Sequence, residues 1–208
     1  KPLSRGKLSA LLSVYGDGPI SSLLAEDVPV TLEQVREALA SGAIRPDFQP
    51  QVEMHNGKIV GVEALARWSL ADGRVVSPDA FLRLVESGGL MEDLTAHMLR
   101  ESCRWHLRWR EAGMNLRVSV NVSASSLRAP QVADRYESIV RGLGVHPEQI
   151  LLEITESTGI GDTAQSLGML ARLRLKGFGL SVDDFGTGYS SLAQLSQIPF
   201  TELKIDRG

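Results

Sequence analysis

Five short apolar stretches each carry a polar side chain, or an adjacent pair, that could do chemistry. They are Glu63 within Ile59–Arg67, Asn121 in Arg117–Val122, Glu153 in Ile150–Thr155, Asp183-Asp184 closing Gly179–Asp184, and Lys204 in Glu202–Asp206. Each has an ordinary structural explanation. Glu63 could pair with Arg67, Asn121 could bond backbone in a turn, and Lys204 could snorkel to water. Their recurrence is harder to explain that way. Gathered carboxylates repel and raise one another's pKa values, and a hard divalent cation with oxygen ligands removes the repulsion. Asp183 and Asp184 point in different directions on a regular strand, so the pair could serve two neighbouring ions. Two such ions clamp a phosphoryl group during in-line attack. The joint pattern favours a metal site suited to phosphate chemistry.

The elements that must position these residues follow from local signals. Thr31-Leu-Glu-Gln34 is a capping box, with Leu32, Val35 and Leu39 at helical spacing and Gly42 as the stop. Pro46–Val52 and Lys58–Trp68 read as extended, with the turn signal His55-Asn-Gly57 between them. Ser77-Pro78 opens a helix, and one long helical stretch is expected to run to about Gly113. Further helices are expected at Gln131–Gly142, Thr163–Lys176 and, shorter, Ser190–Gln197, alternating with strands at Arg117–Val122, Ile150–Thr155, Gly179–Asp184 and Glu202–Asp206. That alternation implies an α/β fold whose parallel sheet is linked by crossover helices, either a (β/α) barrel or an open doubly wound sheet. No dinucleotide glycine fingerprint follows the first strand. The polar strand ends favour the barrel, where active sites are built at the C-terminal ends of strands. Within Ile59–Arg67 the two-residue period puts Ile59, Gly61, Glu63, Leu65 and Arg67 on one face.

Composition bounds the rest. The 208 residues carry 22 basic and 25 acidic side chains, a net charge of −3 that argues against a general nucleic-acid binder. With 43% hydrophobic residues there is enough apolar material for a sizeable core. One cysteine, Cys103, makes an internal disulfide impossible and a reducing, cytoplasmic setting the default. No apolar run approaches a membrane span, so direct membrane insertion is not expected. The chain starts at Lys1 and is expected to be a piece of something longer. Asp184-Phe-Gly186 spells the kinase magnesium motif, but neither a His-Arg-Asp catalytic loop nor a Gly-rich ATP loop accompanies it. His55, His97, His106 and His146 lack zinc spacing. Trp105 and Trp109, one helical turn apart, are read as core or interface.

Several motifs in one order carry a resemblance. Glu63-Ala-Leu-Ala-Arg-Trp68 resembles the signature of the EAL domains, bacterial cyclic-di-GMP phosphodiesterases, and Phe48-Gln49-Pro50 resembles the start of that family's first strand. Asn121-Val-Ser123, Glu153-Ile-Thr-Glu156, Asp183-Asp-Phe-Gly-Thr-Gly-Tyr-Ser-Ser-Leu192 and Lys204-Ile-Asp-Arg207 follow in the family's order. The resemblance implies a TIM-like (β/α) barrel, homodimers, and Mg²⁺- or Mn²⁺-dependent cleavage of one phosphodiester of cyclic-di-GMP to linear pGpG. It implies Glu63, Asn121, Glu153 and Asp183 at one metal, Asp183 and Asp184 at a second, and Lys204 near the attacking water. Gln49, Leu65 and Arg67 would contact the dinucleotide, with Glu63 and Lys204 the catalytic pair. Glu156 would hold the Asp-Phe-Gly-Thr-Gly-Tyr loop in shape.

The resemblance also sets the expected domains. Residues 31–208 are expected to form the EAL domain, incomplete at its C-terminus, because the family continues with further strands, another metal-binding glutamate and a late substrate-contacting glutamine. Residues 1–30 are expected to be a helix and linker. Lys1-Pro2 before Leu8, Leu11 and Leu12 resembles the end of a response-regulator receiver domain, and an ordinary linker helix reads equally well. Three functional classes remain open: an active phosphodiesterase, a module that binds cyclic-di-GMP without cleaving it, and a partner-binding domain that has lost the ligand.

Overall fold

The computed structural model describes residues 28–123, 125–155, 164–185 and 200–205. The N-terminal leucine pattern, Glu156, the Gly-Thr-Gly motif, the short helix at 190–197 and Arg207 lie outside these residues. Helix α1 (Leu32–Ser41) starts where the sequence signals it. The Thr31 hydroxyl accepts from the Gln34 backbone and the Gln34 side chain returns to the Thr31 backbone, while Gly42 closes the helix at φ 73°.

Strands β1 (Ile44–Val52) and β2 (Ile59–Ser69) form an antiparallel hairpin. Its turn is fixed by the Gly57 amide donating to the Glu53 carbonyl at 2.8 Å. The parallel reading of the sheet is corrected here, since a connection this short cannot hold a crossover helix. A two-residue strand β3 (Val75–Val76) adds antiparallel to the end of β2 and has no strong sequence signal. The single long helix expected after Ser77 is also corrected. It is two helices, α2 (Pro78–Ser87) and α3 (Met91–Glu111), broken at Gly88-Gly89 with Gly89 at φ 69°. A Cβ on Gly88 would collide with Leu32 of α1, so the break also admits the neighbouring helix.

The chain then alternates as expected through β4 (Arg117–Asn121), α4 (Val132–Gly142), β5 (Ile150–Thr155), α5 (Ala164–Leu175), β6 (Gly179–Phe185) and β7 (Glu202–Ile205). The strand order is β1-β2-β4-β5-β6-β7, with β3 beside β2 and every pairing from β2–β4 onward parallel. Among the described residues β1 and β7 do not pair, so the barrel is not closed there.

The two faces of this sheet differ sharply. Val62, Ala64, Trp68, Val118, Val120, Ile150, Leu152, Ile154 and Leu180 share one core with the apolar faces of the helices. The opposite face carries Gln51, Glu63, Ser119, Glu153 and Ser181. A doubly wound sheet would cover both faces with helices. Helices on one face and polar groups on the other are the division that a barrel makes between its outside and its mouth.

On the outer face Phe48 meets Trp109 and Trp105 edge-on, with ring centroids 4.7 and 5.8 Å apart. Of the two tryptophans, read from the sequence as core or interface, the half-buried Trp109 packs against the core. Buried Cys103 has its thiol pushed up to about 12 by desolvation, which leaves it inert. His106 of α3 bonds the Leu116 carbonyl through Nδ1 at 2.9 Å, tying the helix to the approach to β4. Burial lowers the pKa of His106 below its ordinary value of 6.5, only partly opposed by that bond. The ring is therefore neutral in the folded chain. As pH falls below about 6.5 the unfolded chain takes the proton first, so stability is lost. Urea unfolding of wild type should show a steeper loss with acid than His106→Gln. Equal slopes would remove His106 from the account.

Candidate functional site

The site is built by the two-residue period of four strands in parallel register. Glu63 of β2 lies opposite Ser119 of β4, Asn121 opposite Glu153 of β5, and Thr155 opposite Asp183 of β6. Side chains on the inner face of neighbouring strands therefore converge. Glu63, Glu153 and Asp183 each present a carboxylate oxygen, all within 4.8 Å of one another, the grouping found among the described residues that could hold a metal. Glu63 stands mid-strand in an unusually long β2 rather than at its end.

Lys204 of β7 enters this group directly. Its Nζ donates to Glu153 Oε2 at 2.7 Å, Glu63 Oε2 at 2.8 Å and Asp183 Oδ2 at 3.2 Å. The Glu153 side chain is fully buried, whereas Lys204 keeps 29% exposure. Burial raises the Glu153 carboxyl to about 7, with the Glu63 charge adding to it and the Lys204 hydrogen bond opposing it. Burial works against the charge on Lys204, but its bonds to Glu153 and Glu63 outweigh it and hold the ammonium above the ordinary lysine value.

Two further details bear on what the group could hold. Asn121 Nδ2 donates to Glu63 Oε1 at 3.4 Å, so the amide joins the carboxylates. Glu153 Oε1 is buried with no partner at hydrogen-bond geometry. Beneath it, Gln51 Nε2 donates to the Ser119 hydroxyl at 3.2 Å. That hydroxyl favours the ionised form of Glu153 without closing a bond to Oε1. An orphaned carboxylate oxygen beside two more carboxylates and an amide is a donor set for a hard cation.

A cavity of about 560 Å³ opens between the ends of β2 and β4 and the helices α2 and α3, and of the group just described only Asn121 lines it. Leu65, Arg67 and Asn121 line it, as do Arg83 and Glu86 of α2 and Thr95 of α3. Arg67 is steered by its own Nη1 bond to the Ala66 carbonyl at 2.9 Å and by Asp47 at 3.8 Å, not by Glu63. Gln49 pairs in register with Glu63 and shares its face, but is not among the residues that line the cavity. Asp184 follows Asp183 in β6, with its side chain outside the described set, as is all of Glu156. The helical wall was not read from the sequence. Asp79, Arg83 and Glu86 face the cavity, and their i, i+4, i+7 spacing was the available signal.

The EAL domain model matches residues 32–208. The chain belongs to the EAL family. It is 38% identical to the bifunctional diguanylate cyclase/cyclic di-GMP phosphodiesterase MucR of Pseudomonas aeruginosa, over 85% of this chain and 26% of that protein. It is 33% identical to the cyclic di-GMP phosphodiesterase RocR of the same organism, over 100% of this chain and 53% of RocR. The chain thus spans about half, or less, of these relatives. Among solved structures, the MucR phosphodiesterase in complex with c-di-GMP aligns at TM-score 0.79 and 38% identity, covering 85% of this chain and 72% of that one. The EAL enzyme Bd1971 with cAMP and cyclic-di-GMP aligns at 0.76 and 26% identity, over 96% and 56% of the two chains. These neighbours establish the arc of strands as the TIM-like EAL fold. Among the described residues no helix is long and apolar enough to cross a membrane.

The EAL site depends on Lys204 as the cation that faces all three carboxylates. Lys204→Met should lower unfolding free energy in EDTA by roughly 2–3 kcal/mol, below the range for fully buried pairs because the lysine is partly exposed. Adding Glu153→Leu, which removes the buried charge, should recover much of that loss. A urea midpoint unmoved in the single variant would show that the carboxylates do not need this ammonium.

Proposed function

We infer that this EAL domain is the catalytic part of a cyclic-di-GMP phosphodiesterase that hydrolyses one phosphodiester to give linear pGpG. The observation that carries this reading is the orphaned, buried Glu153 Oε1 inside a group of three carboxylates joined by the Asn121 amide. Relatives named as cyclic di-GMP phosphodiesterases support it. Glu63, Asn121, Glu153 and Asp183 would hold Mg²⁺ or Mn²⁺, and Asp183 with Asp184 a second ion. Bound there, the ions supply the positive charge that an attacked phosphoryl group and its water require.

The chain's own residues do the rest. Arg67 offers a planar fork of donors to a non-bridging phosphate oxygen. Leu65 packs against the dinucleotide from the cavity wall, and Gln49 contacts it from β1. Lys204 keeps a positive charge near the attacking water. Water adds at phosphorus and gives up a proton, the bridging ester oxygen leaves and takes up a proton to become a hydroxyl, and the ring opens. Glu156 would support the loop after Asp183. A homodimer, an upstream receiver or other sensory domain, and a bacterial cytoplasmic setting belong to the same proposal. So does the division of the chain into a linker over 1–30 and the EAL domain from 31.

Two variants of the full-length protein separate chemistry from binding. Glu63→Ala should reduce pGpG release with Mn²⁺ or Mg²⁺ to background while cyclic-di-GMP binding through Arg67 persists. Arg67→Ala should weaken binding about tenfold to a hundredfold, as expected for losing a charged hydrogen bond of about 1.5–3 kcal/mol. Normal turnover in Glu63→Ala would overturn the metal assignment. Tight binding of cyclic-di-GMP by wild type without any pGpG, in either metal, would favour the sensor reading instead.

A further inference from the structure

The ammonium of Lys204 sits where a cation bound to the three carboxylates would sit. It contacts Glu63 Oε2, Glu153 Oε2 and Asp183 Oδ2 at 2.8, 2.7 and 3.2 Å. Mg²⁺ or Mn²⁺ would take such oxygens at about 2.0–2.2 Å. Two cations cannot share the centre of one set of oxygens, so a metal there and the lysine as it stands exclude each other.

One of the two parties can move. Glu153 is fully buried on a central strand, hydrogen-bonded into the sheet on both sides. Lys204 stands on β7, the last strand of the described sheet, with part of its side chain exposed. Its four-carbon stem has several rotatable bonds and a compact, readily hydrated head. We propose that Lys204 is a tethered counter-cation that holds the carboxylates together until a divalent ion arrives, and that metal loading requires the lysine to withdraw from the centre of the group to its rim, where its charge still reaches the attacking water. The proposal rests on the metal reading above. It gives the lysine a role before catalysis, as a built-in competitor that weakens metal affinity and keeps the metal-free site from splaying apart.

There is a definite alternative geometry. Lys204 contacts Oε2 of both glutamates, which leaves Glu63 Oε1 to Asn121 and Glu153 Oε1 without a partner. A metal seated only on those atoms would leave Lys204 where it is. Mn²⁺ binding to the full-length protein, measured by the electron paramagnetic resonance signal of free Mn²⁺, distinguishes the two. Removing a tethered competitor should tighten binding by about tenfold or more in Lys204→Met, while Lys204→Arg, which keeps the charge, should stay near wild type. Unchanged or weaker affinity in a folded Lys204→Met variant would overturn the proposal.

A second measurement uses unaltered sequence and so does not depend on that variant folding. With lysines reductively ¹³C-methylated, the Lys204 resonance should move on adding diamagnetic Mg²⁺ as the amine leaves its three carboxylate contacts. A Lys204 signal that stays put while Mg²⁺ saturates the site would overturn the proposal and leave the metal reading intact. Absence of Mn²⁺ binding in wild type and both variants would overturn the metal reading itself, and the competition with it.

Discussion

Burying a carboxylate is costly unless something compensates its charge, and Glu153 is buried completely in the middle of the sheet. Much of the surrounding architecture can be understood as meeting that requirement. The parallel register brings Glu63 and Asp183 alongside, which by itself worsens the problem. Lys204 then answers it from β7, across a sequence distance that no local element could bridge. The strands between are apolar on their outer faces and pressed against helices, so the inner face is where charge can be gathered. What is costly for folding is useful for chemistry: a charge held away from water acts more strongly on whatever binds beside it.

The sequence exposed most of this arrangement and missed some of it for identifiable reasons. The Thr31 capping box and the strand boundaries at Ile150–Thr155 were legible because each follows from a short-range pattern. The break at Gly88-Gly89 was legible only in part. Two glycines in a helical stretch lower its helix propensity, but the close approach of Leu32 to Gly88 involves a partner far away in sequence. The antiparallel start of the sheet was obscured by the helix–strand alternation of everything after it. The position of Lys204 was least legible of all. Its presence on a strand was clear, but its three contacts depend on register across β2, β5, β6 and β7 together.

Family membership and physical reading meet at different depths. Membership accounts for the TIM-like arc and for the order of the motifs. It does not by itself say that the ammonium and the carboxylates touch, that one carboxylate oxygen is left without a partner, or that α2 contributes a charged wall to the cavity. Those are properties of this chain's packing.

The aromatic contact outside the sheet has an effect inside it. Phe48 packs edge-on against both Trp105 and Trp109, and its neighbour Gln49 faces the opposite way, across from Glu63. Strand side chains alternate, so sliding β1 by one residue would put a phenyl ring among the carboxylates and an amide among the tryptophans. The indole pair thus acts as a detent for the hairpin. The identity of the group that β1 presents to the inner face is set by hydrophobic packing on the far side of the strand.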